Sequence, residues 1–177
     1  MTESVAPAAH TFDSKQRWGR LRSKDMLWLV VQAAAGVMAG LLWWVLAPGG
    51  LNLVSGNPDL GNPSNPDSWL PRDLVLAGLM LVAGCAAGLT LDGKLEGQGA
   101  GRRFGFAVAG GAAGAVLAWL TGLLAAVVWG VAPDPALGAE YGFTLRSYAV
   151  LPLWPGAVAF VTFVLALFGV LTGKPVK

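Results

Sequence analysis

A chain of 177 residues with 55% hydrophobic and only 12% charged residues falls far short of the roughly 25% charge of a soluble domain. Its charges gather at the ends and in three connections, leaving four long apolar stretches, which places it in the membrane class. A net charge of +2 gives no general attraction to nucleic acid, and a lone cysteine and a lone histidine exclude an intrachain disulfide and a self-sufficient zinc site.

The first 25 residues form a polar tail holding His10 and the basic run Lys15 to Asp25. Arg17, Trp18, Arg20, Arg22 and Lys24 are candidates for anionic lipid headgroups, at about 1 kcal/mol per positive residue near the surface. The plainer reading of the same run is an ordinary topogenic flank. The first apolar stretch, residues 26–47, has no charge, and Gln32 is its one strongly polar residue. It is too long for the roughly 7–15 residue core of a signal peptide. Pro48, directly after Val45-Leu46-Ala47, also blocks processing there.

Residues 48–70 are rich in turn formers. Gly56-Asn57-Pro58-Asp59-Leu60 is echoed by Gly61-Asn62-Pro63-Ser64-Asn65. Asparagine bonds to its own backbone and proline fixes the next φ, so a compact irregular loop is expected. Its length favours a contact role over a mere connector. Asp59 and Asp67 have the wrong number and spacing for a calcium loop.

The remaining spans are expected at about residues 72–91, 104–132 and 148–172. A helix rises about 1.5 Å per residue, so about 20 residues cross a hydrocarbon core of roughly 30 Å. The third exceeds that and must tilt or project. The fourth opens with Pro152 and Pro155, which either start the helix or kink it near Leu151 to Leu153.

Ten of the twelve Lys and Arg residues lie on one side of these spans, and only Arg72 and Arg146 on the other. The acidic residues divide evenly. The cationic bias makes the first side cytoplasmic. The expected fold is therefore all-α: a polytopic membrane protein with four transmembrane helices packed as a bundle and both termini cytoplasmic. Its parts are a tail (1–25), a membrane domain (26–173) and a short end (174–177). Trp28, Trp43, Trp44, Trp69, Trp129 and Trp154 fall near span boundaries, where an apolar ring with one N–H donor is favoured. Trp119 is mid-span.

Apolar surface gains little by leaving lipid, so close backbone approach must drive helix association. The third span carries small residues at every fourth position: Gly110, Gly114, Ala118, Gly122, Ala126 and Gly130. The first offers Gly36 and Gly40, the second Gly84 and Gly88, the fourth Gly169 and Gly173. This makes the third span the expected centre, against other helices or a second chain. The two halves also echo each other. Trp44-Val-Leu-Ala47-Pro48 matches Trp129-Gly-Val-Ala132-Pro133, and an arginine (Arg72 or Arg146) precedes the next span in each.

No ionisable residue falls at mid-depth. Arg72, Asp73 and Arg146 are the polar candidates at the outer boundary, with Glu140 near them in sequence. The layout resembles small multi-pass membrane proteins of actinobacteria. The likeness rests on the basic tail, the helix ending Leu41-Leu42-Trp43-Trp44-Val45-Leu46-Ala47-Pro48, and the Ala/Gly-rich later spans. That resemblance implies a bacterial cytoplasmic membrane and carries over no activity or site residue.

Three classes of function fit. The leading expectation is a non-catalytic accessory or scaffold subunit, with membrane lipid and other membrane subunits or its own copies as partners, and no cofactor or metal. The alternative is an oligomeric small-solute transporter or pore. An enzyme acting on lipid or an envelope precursor would need Arg72, Asp73, Arg146 and Glu140 to meet, at a spacing that matches no mechanism.

Overall fold

The computed structural model describes residues 14–62, 65–91, 99–132, 136 and 142–173. Among them the secondary structure is helical, with no strand. The long helices are α1 (Ser14–Leu46), α2 (Trp69–Leu91), α3 (Ala100–Trp129) and α4 (Leu153–Leu171). Four segments, Met26–Leu46, Pro66–Leu91, Ala100–Trp129 and Tyr148–Leu171, are long and apolar enough to cross a membrane. Residues 47–62 and 65–68 meet residues 142–147 at one end of the helices, the loop end. The other, where α2 finishes and α3 begins, is the basic end.

Local chemistry sets the helix starts. At Asn65 the side chain accepts the N–H of Asp67, Pro66 supplies a pre-set φ, and the 3₁₀ turn Pro66–Ser68 runs straight into α2. The helix therefore begins at Trp69, ahead of the expected residue 72. Gly99, at φ +100, takes the left-handed conformation that glycine alone adopts without cost, and α3 starts directly after it rather than at Phe104. The fourth helix starts later than residue 148. Tyr148–Val150 form a 3₁₀ turn, Pro152 is the N-cap of α4, and Pro155 stands in the first turn, where a missing N–H breaks no helical bond. The two prolines open this helix.

Helix α1 packs most extensively on α3, and α2 on α4; α3 also touches α4, while α1 and α2 touch less. Within both main pairs the residue numbers rise together. Gly36 lies on Gly114, Gly40 on Ala118 and Thr121, and Trp43 on Gly122. Gly84 lies on Trp154 and Ala157, and Gly88 on Val158 and Val161. Each pair is therefore parallel, although neighbours in sequence run antiparallel.

These contacts have no room for side chains. A Cβ on Gly36 would stand 2.8 Å from the Gly114 Cα, and one on Gly84 would stand 2.6 Å from the Ala157 Cβ. On α3, a Cβ at Gly110 would press on the Gln32 side chain, and one at Gly114 would meet the Gln32 carbonyl at 2.9 Å and the Trp154 ring at 3.1 Å. Ala118 is fully buried, and Ala126 is half-buried against the core. Gly130 ends α3, its N–H donating to the Ala126 carbonyl. Gly169 and Gly173 share the four-residue spacing, yet a Cβ at either would meet nothing within 4 Å.

Three tryptophans expected in the headgroup zone are buried: Trp43, Trp44 and Trp154. Trp43 is completely buried because Gly122 leaves a notch for its ring. Trp154 sits on Gly111 and Gly114, near the middle of α3, so the α-helical part of α4 begins at mid-height. Buried Phe143, Leu145 and Val150 occupy the loop end instead. Trp44 contacts Trp129, its match in the sequence echo, at 5.9 Å between ring centroids. Trp119 meets Tyr148 edge-on at 5.6 Å.

Candidate functional site

At the loop end an arginine and an aspartate are buried side by side. Arg72 is 2% exposed and Asp73 3%, both near the start of α2. Arg72 Nε donates to the Pro48 carbonyl at 2.9 Å, and Nη1 to the Gly142 carbonyl at 2.8 Å and the Thr144 carbonyl at 3.4 Å. Its Nη2 donates to Ser68 Oγ at 2.7 Å. Four of the five N–H donors of the guanidinium are thereby engaged. The Phe143 ring covers its flat face, 5.0 Å from the centroid.

Each contact depends on local backbone form. Gly49, at φ +81, turns the chain so that the Pro48 carbonyl faces Arg72; a Cβ there would stand 2.6 Å from Nη2. The backbone carbonyl of Arg72 accepts the Trp43 indole N–H at 2.9 Å, and Trp43 packs on Phe143 with centroids 4.6 Å apart. The Asp73 Oδ2 accepts the N–H groups of Ser147 at 2.7 Å and Arg146 at 3.2 Å. The Arg72–Asp73 pair therefore ties both loops of this end to α2, and Trp43 adds α1 and α3.

The loop after α1 is itself built on hydrogen bonds. N–H groups of Leu51, Leu53 and Val54 return to the carbonyls of Trp44, Val45 and Leu46, satisfying the end of α1. Asn57 caps Asp59, the Asn65 amide reaches the Asp59 carbonyl, and Asn52 in the left-handed region bonds Asn57 and Ser55. This leaves the side chains of Leu51, Leu53 and Val54 exposed.

No protein-family model, curated protein or solved structure matches the chain. The cluster must be judged on its own chemistry. Arg72 is surrounded by carbonyl oxygens and has little left to offer a substrate. Asp73 Oδ1 has no hydrogen-bond partner, but it is buried. Arg146 is exposed and joins the cluster through its main chain. An apolar hollow of about 470 Å³ lies beside the cluster, walled by Leu123, Ala126, Val127, Val131 and Phe143. Among the described residues no three His, Cys, Asp or Glu side chains gather to hold a metal ion.

Of the outer-boundary candidates, Arg72 and Asp73 come together with the Arg146 backbone, while Glu140 lies outside the described residues. Arg17, Trp18, Arg20, Arg22 and Lys24 fall on the first turns of α1, and their side chains lie outside the described set. Sequence reasoning missed Ser68, Phe143, Gly49 and the carbonyls of Pro48, Gly142 and Thr144. The one available signal was Ser68, a hydroxyl one helical turn before Arg72. Gln32, flagged as the sole polar residue of its span, is buried against Gly110 with its Nε2 unpartnered.

Proposed function

We propose that this chain is a non-catalytic integral protein of the bacterial cytoplasmic membrane, an accessory or scaffold subunit of a larger membrane complex. Its four helices form a bundle with both termini cytoplasmic, and its partners are membrane lipid and other membrane subunits. One observation carries this reading: the boundary Arg72 and Asp73 spend their hydrogen bonds on the fold's own loops and are almost wholly buried. A transport path or reaction centre uses intramembrane polar groups that face a cavity. Here neither Arg72 nor Asp73 lines the hollow beside the pair, and its side chains are apolar apart from Thr144. The outward surface is apolar too, with Leu81, Val82, Leu124, Val127, Phe160 and Phe163 exposed. Such a body offers rigid helix faces and a folded, apolar-tipped loop to neighbours.

The test is purification of the full chain in mild detergent from its native membrane, followed by native mass measurement. The expected result is a stable assembly containing other polypeptides. A symmetric oligomer of this chain alone, with nothing else bound, would overturn the proposal and favour a pore built between copies.

A further inference from the structure

We infer that the basic end binds an anionic phospholipid, with an acyl chain in the groove between α3 and α4 and its phosphate against Arg102 and Arg103. The groove, about 320 Å³, is lined by Gly101 and Phe104 on α3 and by Ala159, Thr162 and Ala166 on α4. Apart from the rings of Phe104 and Phe163, the side chains that line it are small. Thr162 does not make it polar, since its hydroxyl donates to the Val158 carbonyl at 2.8 Å. The wall is hydrocarbon, suited to an acyl chain.

Length limits the occupant. Ala159 to Ala166 covers roughly 10 Å of helix, against roughly 30 Å for a helix that crosses the hydrocarbon core. One section of an acyl chain fits that length; a spanning helix of a partner or a second copy would touch it only in passing. Charge fixes the headgroup. Arg102 and Arg103 adjoin Gly101 in the first turn of α3, and neither α3 nor α4 contains an acidic residue. Both arginines also have interactions within the chain. A guanidinium has five donors, so phosphate oxygens can be held beside those interactions. A lipid in the groove places its phosphate at this end of α3, where cation and chain-binding wall adjoin.

The experiment uses the full chain in micelles doped with equal amounts of phosphatidylglycerol and phosphatidylcholine, with native mass spectrometry counting retained lipids. Phosphatidylglycerol should be retained preferentially. R102Q and R103Q should each weaken it about fivefold, the effect of losing one surface cation, with phosphatidylcholine unchanged. Gly101→Leu should displace the bound lipid. A Cβ at position 101 meets no atom of the chain within 4 Å, so melting and helicity should stay as in the parent. Gly105→Leu is equally unhindered and lies outside the groove, so it should retain lipid. If Gly101→Leu proved unstable, Ala166→Leu on the facing helix would ask the same question. Equal retention of both lipids, or groove-filling variants that bind as the parent does, would overturn the inference. Displacement of the lipid by millimolar inorganic phosphate would also overturn it by revealing a free-anion site, as would protein dimers in place of lipid adducts. The result does not depend on whether a partner subunit is found.

Discussion

At the scale of single residues, Arg72 is the group on which most of the loop end depends. Its charge is tolerated because three carbonyl oxygens and a hydroxyl replace water around it. Arg72→Met removes the donors and leaves the Pro48 and Gly142 carbonyls without them. At about 1–3 kcal/mol per stranded buried group, the expected loss for these two is about 2–6 kcal/mol, measured as an earlier midpoint in detergent unfolding. Arg72→Lys should recover only part of this, because an ammonium lacks the planar fork that reaches several acceptors in different directions. Unfolding of Arg72→Met at the parent midpoint would remove the clamp from the account. The sequence shows why this residue could be noticed but not understood. It marks Arg72 and Arg146 as a matched pair of boundary arginines, yet one enters with its side chain buried and the other with its main-chain N–H. The partners of Arg72 are mostly carbonyls, which every residue carries and no side-chain pattern reveals.

Among the helices, the decisive contacts are glycine on glycine and tryptophan on glycine. Gly36 against Gly114 lets two parallel backbones touch, and Gly122 admits the Trp43 ring that links α1 to the Arg72 carbonyl. Gly114 is confined twice, by the Gln32 carbonyl of α1 and the Trp154 ring of α4. Gly114→Leu should therefore separate α3 from both neighbours and abolish the folded species. Gly105→Leu, with nothing within 4 Å of its Cβ, should leave melting unchanged. A Gly114→Leu protein that melts with the parent would show that this contact contributes no stability. Four-residue spacing of small residues is plain in the sequence, but what lies opposite is not. Gly169 and Gly173 have the same spacing as Gly84 and Gly88, and only the second pair has a helix against it. Although the expected starts of 72 and 104 fall after the observed Trp69 and Ala100, Asn65-Pro66 and Gly99 were legible as backbone signals. The mid-height start of α4 was not, since hydropathy continues unbroken from Tyr148 to Leu171 while the hydrogen-bond pattern changes within it.

For the whole molecule, the remaining physical question is which way the helices thread. Four apolar segments return the chain to its starting side if each crosses. The ten-to-two division of Lys and Arg then predicts the direction, because cationic flanks resist translocation. Both exceptions adjoin the Arg72–Asp73 clamp, and Arg72 is 2% exposed. The Arg72 charge is therefore held inside the fold, while Arg146 is exposed at the loop end. The basic end holds Arg102 and Arg103 at the start of α3, with the cationic flank of α1 on the same side of the spans by sequence. A reporter inserted at Gly56, whose Cβ position is open, and a second fused after Lys177 should therefore emerge in opposite compartments, the second in the cytoplasm. Adding Lys residues at Gly56 tests the direction rule itself: enough of them should produce inverted molecules, in which the two reporters exchange compartments. Reporters found together in one compartment would mean an odd number of crossings between Gly56 and the end of the chain is wrong, and with it the assignment of α2, α3 and α4 as spanning helices.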